Sequence, residues 1–221
     1  MSPLAASPVE TVRPPVSPEP PQTLFSRDFI LLFCMTMFCN SFIAVFYCFE
    51  QWLEGMAVSP NWRGVLLASM FAMVLLFRPL ASVLLLRRGK LPAMAVSIVI
   101  SSCVMLGYAH VGGPHAIGMI WALRIVQGIA LAVFSSCTVA VLVSCIPKGQ
   151  SARGFAIFSL TMLLPYSIIP AAAEPILPLL GGEAGLFAAS SLLGLPSLLM
   201  LIPLAPRLRT PEMAPEDSGG M

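Results

Sequence analysis

Charged side chains are scarce in this sequence. Asp, Glu, Lys and Arg make up 10% of the residues and hydrophobic residues 57%, whereas soluble domains carry about 25% charged and about 45–50% apolar residues. A chain of this composition cannot cover itself with polar surface, which excludes a soluble domain or a secreted enzyme. The net charge of +2 is too small to predict binding to nucleic acid.

Motifs for metal binding and covalent catalysis are missing as well. The six cysteines lie in or beside apolar blocks, with no Cys-x-x-Cys pair and no Cys/His cluster, so we interpret them as small core hydrophobes. No His-Glu-x-x-His motif occurs, and His110 and His115 flank a Gly/Pro turn. We therefore expect no enzyme activity, no metal and no cofactor.

The beginning of the chain lacks the basic segment and short apolar core of a secretory signal peptide. It is rich in proline instead, and such a composition cannot bury enough apolar surface to offset chain entropy. We expect a disordered segment over residues 1–26, a transmembrane bundle over 27–206 and a polar cytoplasmic tail over 207–221.

The sequence does contain apolar blocks long enough to cross a bilayer, which requires about 20 residues in a helix. They predict an all-α membrane protein with six transmembrane helices, over residues 29–49, 64–86, 91–109, 117–146, 154–180 and 186–204. Prolines interrupt the fifth block and predict a bent helix there.

The basic residues predict the orientation. With both termini in the cytoplasm, nine Lys and Arg residues lie on that side and only Arg63 lies outside, while Arg78 and Arg124 fall within helices. Membrane proteins concentrate basic residues in this way on the cytoplasmic side. We expect a multi-pass protein of the cell membrane, inner or plasma.

Polar residues recur on one face of three predicted helices, given about 100° per residue. The stripes are Thr36, Asn40, Tyr47, Glu50 and Gln51 in the first helix, Arg124, Gln127, Ser135 and Thr138 in the fourth, and Ser159, Tyr166, Pro170 and Glu174 in the fifth. A charge at bilayer depth costs about 2.5–3.5 kcal/mol and usually marks function, so Arg124 is the first candidate. The stripes predict a shared aqueous cavity; alternatively, the hydroxyls connect helices in a closed bundle.

Two motifs occupy elements where a known family carries them. The fourth helix contains Arg124, Gln127 and Gly128 in the spacing Arg-x-x-Gln-Gly. The turn after the second helix contains Arg87, Gly89 and Lys90, which match part of the signature Gly-x-x-x-Asp-Arg-x-Gly-Arg-Lys. The chain thus resembles the amino-terminal six-helix half of a major facilitator superfamily transporter.

The resemblance has departures. Ser82 and Leu86 stand where the signature has its first glycine and its aspartate, and that acid helps to latch the cytosolic side in the family. In the fifth helix Pro170 matches a Gly-Pro-rich motif of the drug/proton antiporters, but Ile169 and Glu174 occupy positions where glycines are common.

The resemblance implies a secondary transporter, or half of one, that moves a small solute by alternating access, with proton-coupled efflux as a candidate activity. Full members hold their substrate between two six-helix halves. The expected partners are the lipid bilayer, an unknown small solute, H⁺, and either a complementary half or a second copy of the chain. The alternative is a truncated or non-transporting subunit that scaffolds a partner. The candidate cavity residues are Arg124, Gln127, Asn40, Tyr47 and Glu174.

Overall fold

The helices follow the apolar blocks closely. The structure, a computed structural model, describes residues 23–147 and 149–209, without the side chains of 84–88 and 207–209, and over this range it is helical with no β-strand. The helices are α1 Arg27–Ala44, α2 Phe49–Gly55, α3 Pro60–Arg88, α4 Lys90–Ala109, α5 Ala116–Cys145, α6 Ser151–Ala173, α7 Glu183–Ser190 and α8 Gly194–Arg209.

Six helical segments in this range are long and apolar enough to cross a membrane. Single helices α3, α4, α5 and α6 form the second to fifth spans. A 3₁₀ turn at Val45–Cys48 joins α1 to α2 in the first span, and another at Ser191–Leu193 joins α7 to α8 in the sixth. The predicted all-α fold is confirmed over the described residues, and its six helices of sufficient length and apolarity suggest a multi-pass membrane protein.

Two predicted boundaries were wrong. The first span continues through Gly55, because the 3₁₀ turn lets the apolar face of the chain run on into α2. The fifth ends at Ala173 and not at residue 180, since Pro175 and Pro178 supply no backbone N–H to continue a helix. Residues 174–182 form turns instead. The predicted disordered segment falls mostly outside the described residues, as does the tail beyond residue 209.

Consecutive spans run in alternating directions, as two apolar clusters show. The first cluster joins the beginning of α1 (Phe29, Leu32) and of α4 (Met94) to the end of α5 (Leu142) and of α8 (Leu204). The second cluster joins the opposite ends of these spans. Its buried residues include Phe46, Phe49, Trp52, Tyr108, Ile120 and Phe187. The turns around residues 89 and 113 therefore lie at opposite ends of the bundle.

The first and fourth spans form the centre of the bundle. The fourth span packs against the second and third, the first packs against the fifth and sixth, and the third packs against the sixth. Gly128 permits the close approach of α5 to α3, because a Cβ atom there would lie 2.7 Å from the Met70 carbonyl oxygen. The second and fifth spans are the least buried. This arrangement leaves a concave surface between them.

Candidate functional site

A cavity of about 260 Å³ lies on this concave surface, between the first, second, fourth and fifth spans. Its apolar lining includes Phe71, Phe134, Phe158 and Met162. Its polar lining consists of Thr36, Asn40, Arg78, Ser135, Thr138 and Tyr166. The cavity can therefore accommodate an apolar group, and each of the four spans contributes at least one polar side chain to its lining.

A proline positions one of these polar groups. Pro165 lies inside α6 and has no N–H, so it cannot bond to the carbonyl of Thr161 one turn earlier. The side chain of Asn40 takes the place of that donor, with its Nδ2 atom 2.9 Å from the Thr161 carbonyl oxygen. The first span is thus tied to the fifth by a hydrogen bond to a carbonyl that the proline leaves free.

Thr36 places an unsatisfied hydroxyl at the same cavity. Its side chain is 3% exposed, and its Oγ1 atom has no hydrogen-bond partner among the residues that the structure describes. Ser135 and Thr138 differ, because each donates to a carbonyl of its own helix, at 3.1 and 2.9 Å. Such back-bonding leaves lone pairs on the two hydroxyl oxygens as acceptors. The hydroxyl oxygen of Thr36 is thus both buried and unsatisfied, behind the side chains that form the cavity surface.

Arg78 contributes the positive charge of the cavity wall. It is exposed and lies within the second membrane-length segment, five residues before that segment ends at Val83. The adjoining groove is lined by Arg78, Pro79 and Ser82 of the second span and Ser136 of the fourth. Pro79 leaves the carbonyl of Leu75 without its helical donor, which adds an acceptor to this groove.

Arg124, the first candidate from the sequence, lies elsewhere. It is 1% exposed and is absent from the lining of this cavity. Its guanidinium carbon lies 4.1 Å from the ring centroid of Phe46 and 3.8 Å from that of Phe49, with Tyr108 at 5.9 Å. The aromatic rings of the first span cover that part of α5, and a role of Arg124 at an aqueous cavity stays a prediction.

The guanidinium of Arg124 is incompletely satisfied. Its Nη1 atom lies 3.5 Å from the Met70 sulfur, a weak acceptor. Its Nε and Nη2 atoms are buried without a hydrogen-bond partner among the described residues. The cation–π contacts with Phe46 and Phe49 offset part of the burial cost, at about 0.5–2 kcal/mol for such a contact. The arginine therefore contributes a packed, rigid contact with the first and second spans.

Gln127 and Gly128 also serve helix packing. Gln127 is 2% exposed, and its Oε1 atom accepts a hydrogen bond of 3.4 Å from the hydroxyl of Tyr108 on the third span. Gly128 allows the approach of Met70 and Met73 from the second span. The three residues of the Arg-x-x-Gln-Gly motif thus hold the first, second and third spans against the fourth.

No protein-family model matches this chain, and searches among curated proteins and solved structures give no match. The function is therefore inferred from the residues themselves.

The other predicted residues lie at the periphery or at helix ends. Tyr47 is 37% exposed and lies in the 3₁₀ turn of the first span. Glu174 is exposed and follows α6 directly, while Pro170 is half-buried within that helix. None of the three is among the cavity-lining residues.

The loop motif is described in part. Gly89 has a φ of 83°, a left-handed conformation that favours glycine, and it separates α3 from Lys90, the first residue of α4. The side chain of Arg87 lies outside the described residues.

Sequence reasoning missed the pairing of Asn40 with Thr161 and the position of Arg78 in the cavity wall. A signal for the first was present, since a proline within a predicted helix always frees the carbonyl four residues earlier. The position of Arg78 had no such signal, because the rotation of the second helix depends on its packing against the fourth.

Proposed function

We propose that this chain is a secondary transporter, or one half of a transporter, that moves a small solute by alternating access. The observation that carries the proposal is the cavity between four spans, whose mostly apolar lining includes a few polar side chains. Polar groups at membrane depth usually face a protein interior or a solute path and not lipid. A cavity that combines Asn40, Thr36 and Arg78 with aromatic walls has the mixed lining typical of small-molecule sites.

The packing of the walls supports movement. The second and fifth spans border the cavity and are the least buried of the six. The fifth contains Pro165 and Pro170, which interrupt the backbone ladder and allow bending. Its Thr161 carbonyl is held by the side chain of Asn40. A wall helix that bends at prolines can open and close access to the cavity while the central first and fourth spans stay packed.

The resemblance to the major facilitator superfamily supports the same function. In that family the substrate lies near the midplane between two halves, so we propose a complementary six-span half or a second copy of this chain as a partner. We further propose H⁺ as the coupling ion, a location in the cell membrane and both termini in the cytoplasm, which agrees with the distribution of Lys and Arg.

Reconstitution tests the proposal. The full chain is placed in sealed liposomes with a pH-sensitive dye inside, and a panel of small solutes is added under an imposed pH gradient. We expect at least one solute to move protons through the wild-type protein. Ser135→Phe should abolish the signal by filling the cavity, whereas Val143→Phe should not, because Val143 lies on the same helix and is 58% exposed on its outer surface.

A second function is favoured by one observation. Arg124, Gln127 and Gly128 serve packing, as they would in a subunit that only scaffolds a partner. That function predicts no solute-dependent flux, equal behaviour of Ser135→Phe and wild type, and a monodisperse particle in mild detergent that no solute stabilises.

A further inference from the structure

The lining of the cavity contains one charged residue, and it is basic. Arg78 is the charged residue of its lining, and the adjoining groove adds no carboxylate. The described part of the chain contains five acidic residues, and each lies at or near the end of a span and away from the cavity lining. They are Asp28, Glu50, Glu54, Glu174 and Glu183.

Arg78 therefore has no acidic partner at its own depth. Its guanidinium makes no side-chain hydrogen bond or ion pair with another residue in the described range. A charge within a membrane span is costly unless it is paired or reaches water. A ligand that brings an anionic group to Arg78 would offset that cost through charge-assisted hydrogen bonds.

The rest of the cavity selects the shape of such a ligand. Phe71, Phe134, Phe158 and Met162 present aromatic and thioether surface beside the arginine. Aromatic side chains bury large apolar groups effectively.

We propose that this cavity binds an amphipathic organic anion, with its carboxylate, sulfonate or phosphate at Arg78 and its apolar body against the aromatic wall. The inference rests on the proposed function in one respect only, since it names the class of solute that the transporter would carry. The anion can be a free solute or the headgroup of an anionic lipid, because both offer the same chemistry to Arg78.

Binding of three matched probes tests the inference. The full chain is embedded in nanodiscs of zwitterionic lipid, and equilibrium dialysis measures 2-naphthoate, neutral 2-naphthamide and cationic 2-naphthylmethylammonium. The three probes share one apolar body, so differences in their affinity report the effect of their charge. We expect 2-naphthoate to bind at least about tenfold more tightly than the amide, as a hydrogen-bonded charge pair implies, and the cation to bind most weakly.

Variants assign the effect to Arg78. Arg78→Gln should lower 2-naphthoate affinity about tenfold with little effect on the amide, and Arg78→Lys should restore most of the loss. The matched control is Arg153→Gln, which removes the same charge from an exposed position at the start of α6. Removing a charge from a span does not impede membrane insertion, so a folded Arg78→Gln protein is expected.

The outcomes separate the possibilities. Equal binding of the three probes, or an equal loss in Arg78→Gln and Arg153→Gln, would overturn the inference. Displacement of 2-naphthoate by phosphatidylglycerol in the nanodisc would identify a lipid headgroup as the anion, and no displacement would identify a free solute. Anion binding without flux in liposomes would refute transport but uphold this site. Flux of cations or neutral solutes alone would uphold transport but refute this site.

Discussion

The side-chain amide of Asn40 donates a 2.9 Å hydrogen bond to the carbonyl of Thr161, the carbonyl that Pro165 deprives of its helical donor. The two residues are 121 positions apart in the chain. Their contact joins the first span to the fifth beside the cavity, so the proline that interrupts the backbone ladder of the fifth span also provides its attachment to the bundle.

A double-mutant cycle should reveal this dependence. Asn40→Ala leaves the Thr161 carbonyl buried without a donor and should lower the free energy of unfolding by about 1 kcal/mol, a typical cost for a lost buried hydrogen bond. In a Pro165→Ala background the backbone N–H of residue 165 can satisfy that carbonyl, so the same change should cost less. Unfolding in detergent micelles measures the four proteins, and an unchanged cost in the second background would contradict the explanation.

Gly128 should tolerate no side chain. A Cβ atom there would lie 2.5 Å from the Met73 Cβ atom and 2.7 Å from the Met70 carbonyl oxygen, so Gly128→Ala forces α3 away from α5. We expect a loss of about 1–3 kcal/mol in the free energy of unfolding, as for other overpacked sites. Gly118→Ala is the control, because it lies on the same helix and a Cβ atom there would have nothing within 4 Å. Thermal unfolding of both variants should separate them clearly, and equal stability would show that the helices are not in close contact.

Arg124 should be replaceable by an apolar residue of similar length. Its Nε and Nη2 atoms are buried without partners among the described residues, and replacing buried charges by packed apolar groups is often neutral or stabilising. We expect Arg124→Met to unfold within about 1 kcal/mol of wild type or above it. Arg124→Ala should lose about 2–5 kcal/mol, because it leaves a cavity beneath Phe46 and Phe49.

The same variant separates packing from transport. If a stable Arg124→Met protein loses solute-driven proton flux, the charge itself takes part in transport. If the free energy of unfolding of Arg124→Met falls as far as that of Arg124→Ala, the prediction that an apolar side chain can replace Arg124 is refuted.

The orientation can be checked by labelling with a membrane-impermeant maleimide. Gly112→Cys places a thiol in the turn after α4, and Ser151→Cys places one at the start of α6, at the opposite end of the bundle. In intact cells we expect Gly112→Cys to react and Ser151→Cys to react only after permeabilisation. The wild-type protein is the control for the six native cysteines. Labelling of both thiols from the outside would refute the six-span topology.

The number of helices was predictable because apolar blocks of bilayer length are a property of composition and spacing alone. The positions of the helix ends were less predictable. The first block was predicted to end at residue 49, but α2 continues the span beyond Glu50 to Gly55. Only the backbone shows that Pro165 and Pro170 stay within α6 while Pro175 lies beyond its end.

The polar stripes predicted from helical periodicity do not determine what each residue contacts. Arg124 and Ser135 share one side of α5, yet Arg124 packs beneath Phe49 while Ser135 lines the cavity. Helical periodicity assigns a direction around one axis. The neighbour in that direction changes along the axis of α5. Aromatic rings of the first span lie over Arg124, whereas the cavity lies beside Ser135. Which neighbour a residue contacts depends on the packing of several helices and not on the sequence of one helix.

The length of α5 bears on how the bundle sits in lipid. Its 30 residues extend about 45 Å, whereas a typical hydrocarbon core is about 30 Å thick. So long a rod must lean or project its ends into the headgroup layers, and both responses depend on membrane thickness. Since α5 contacts the second and third spans along this length, a thicker bilayer that draws the helix upright would also reorient the walls it supports.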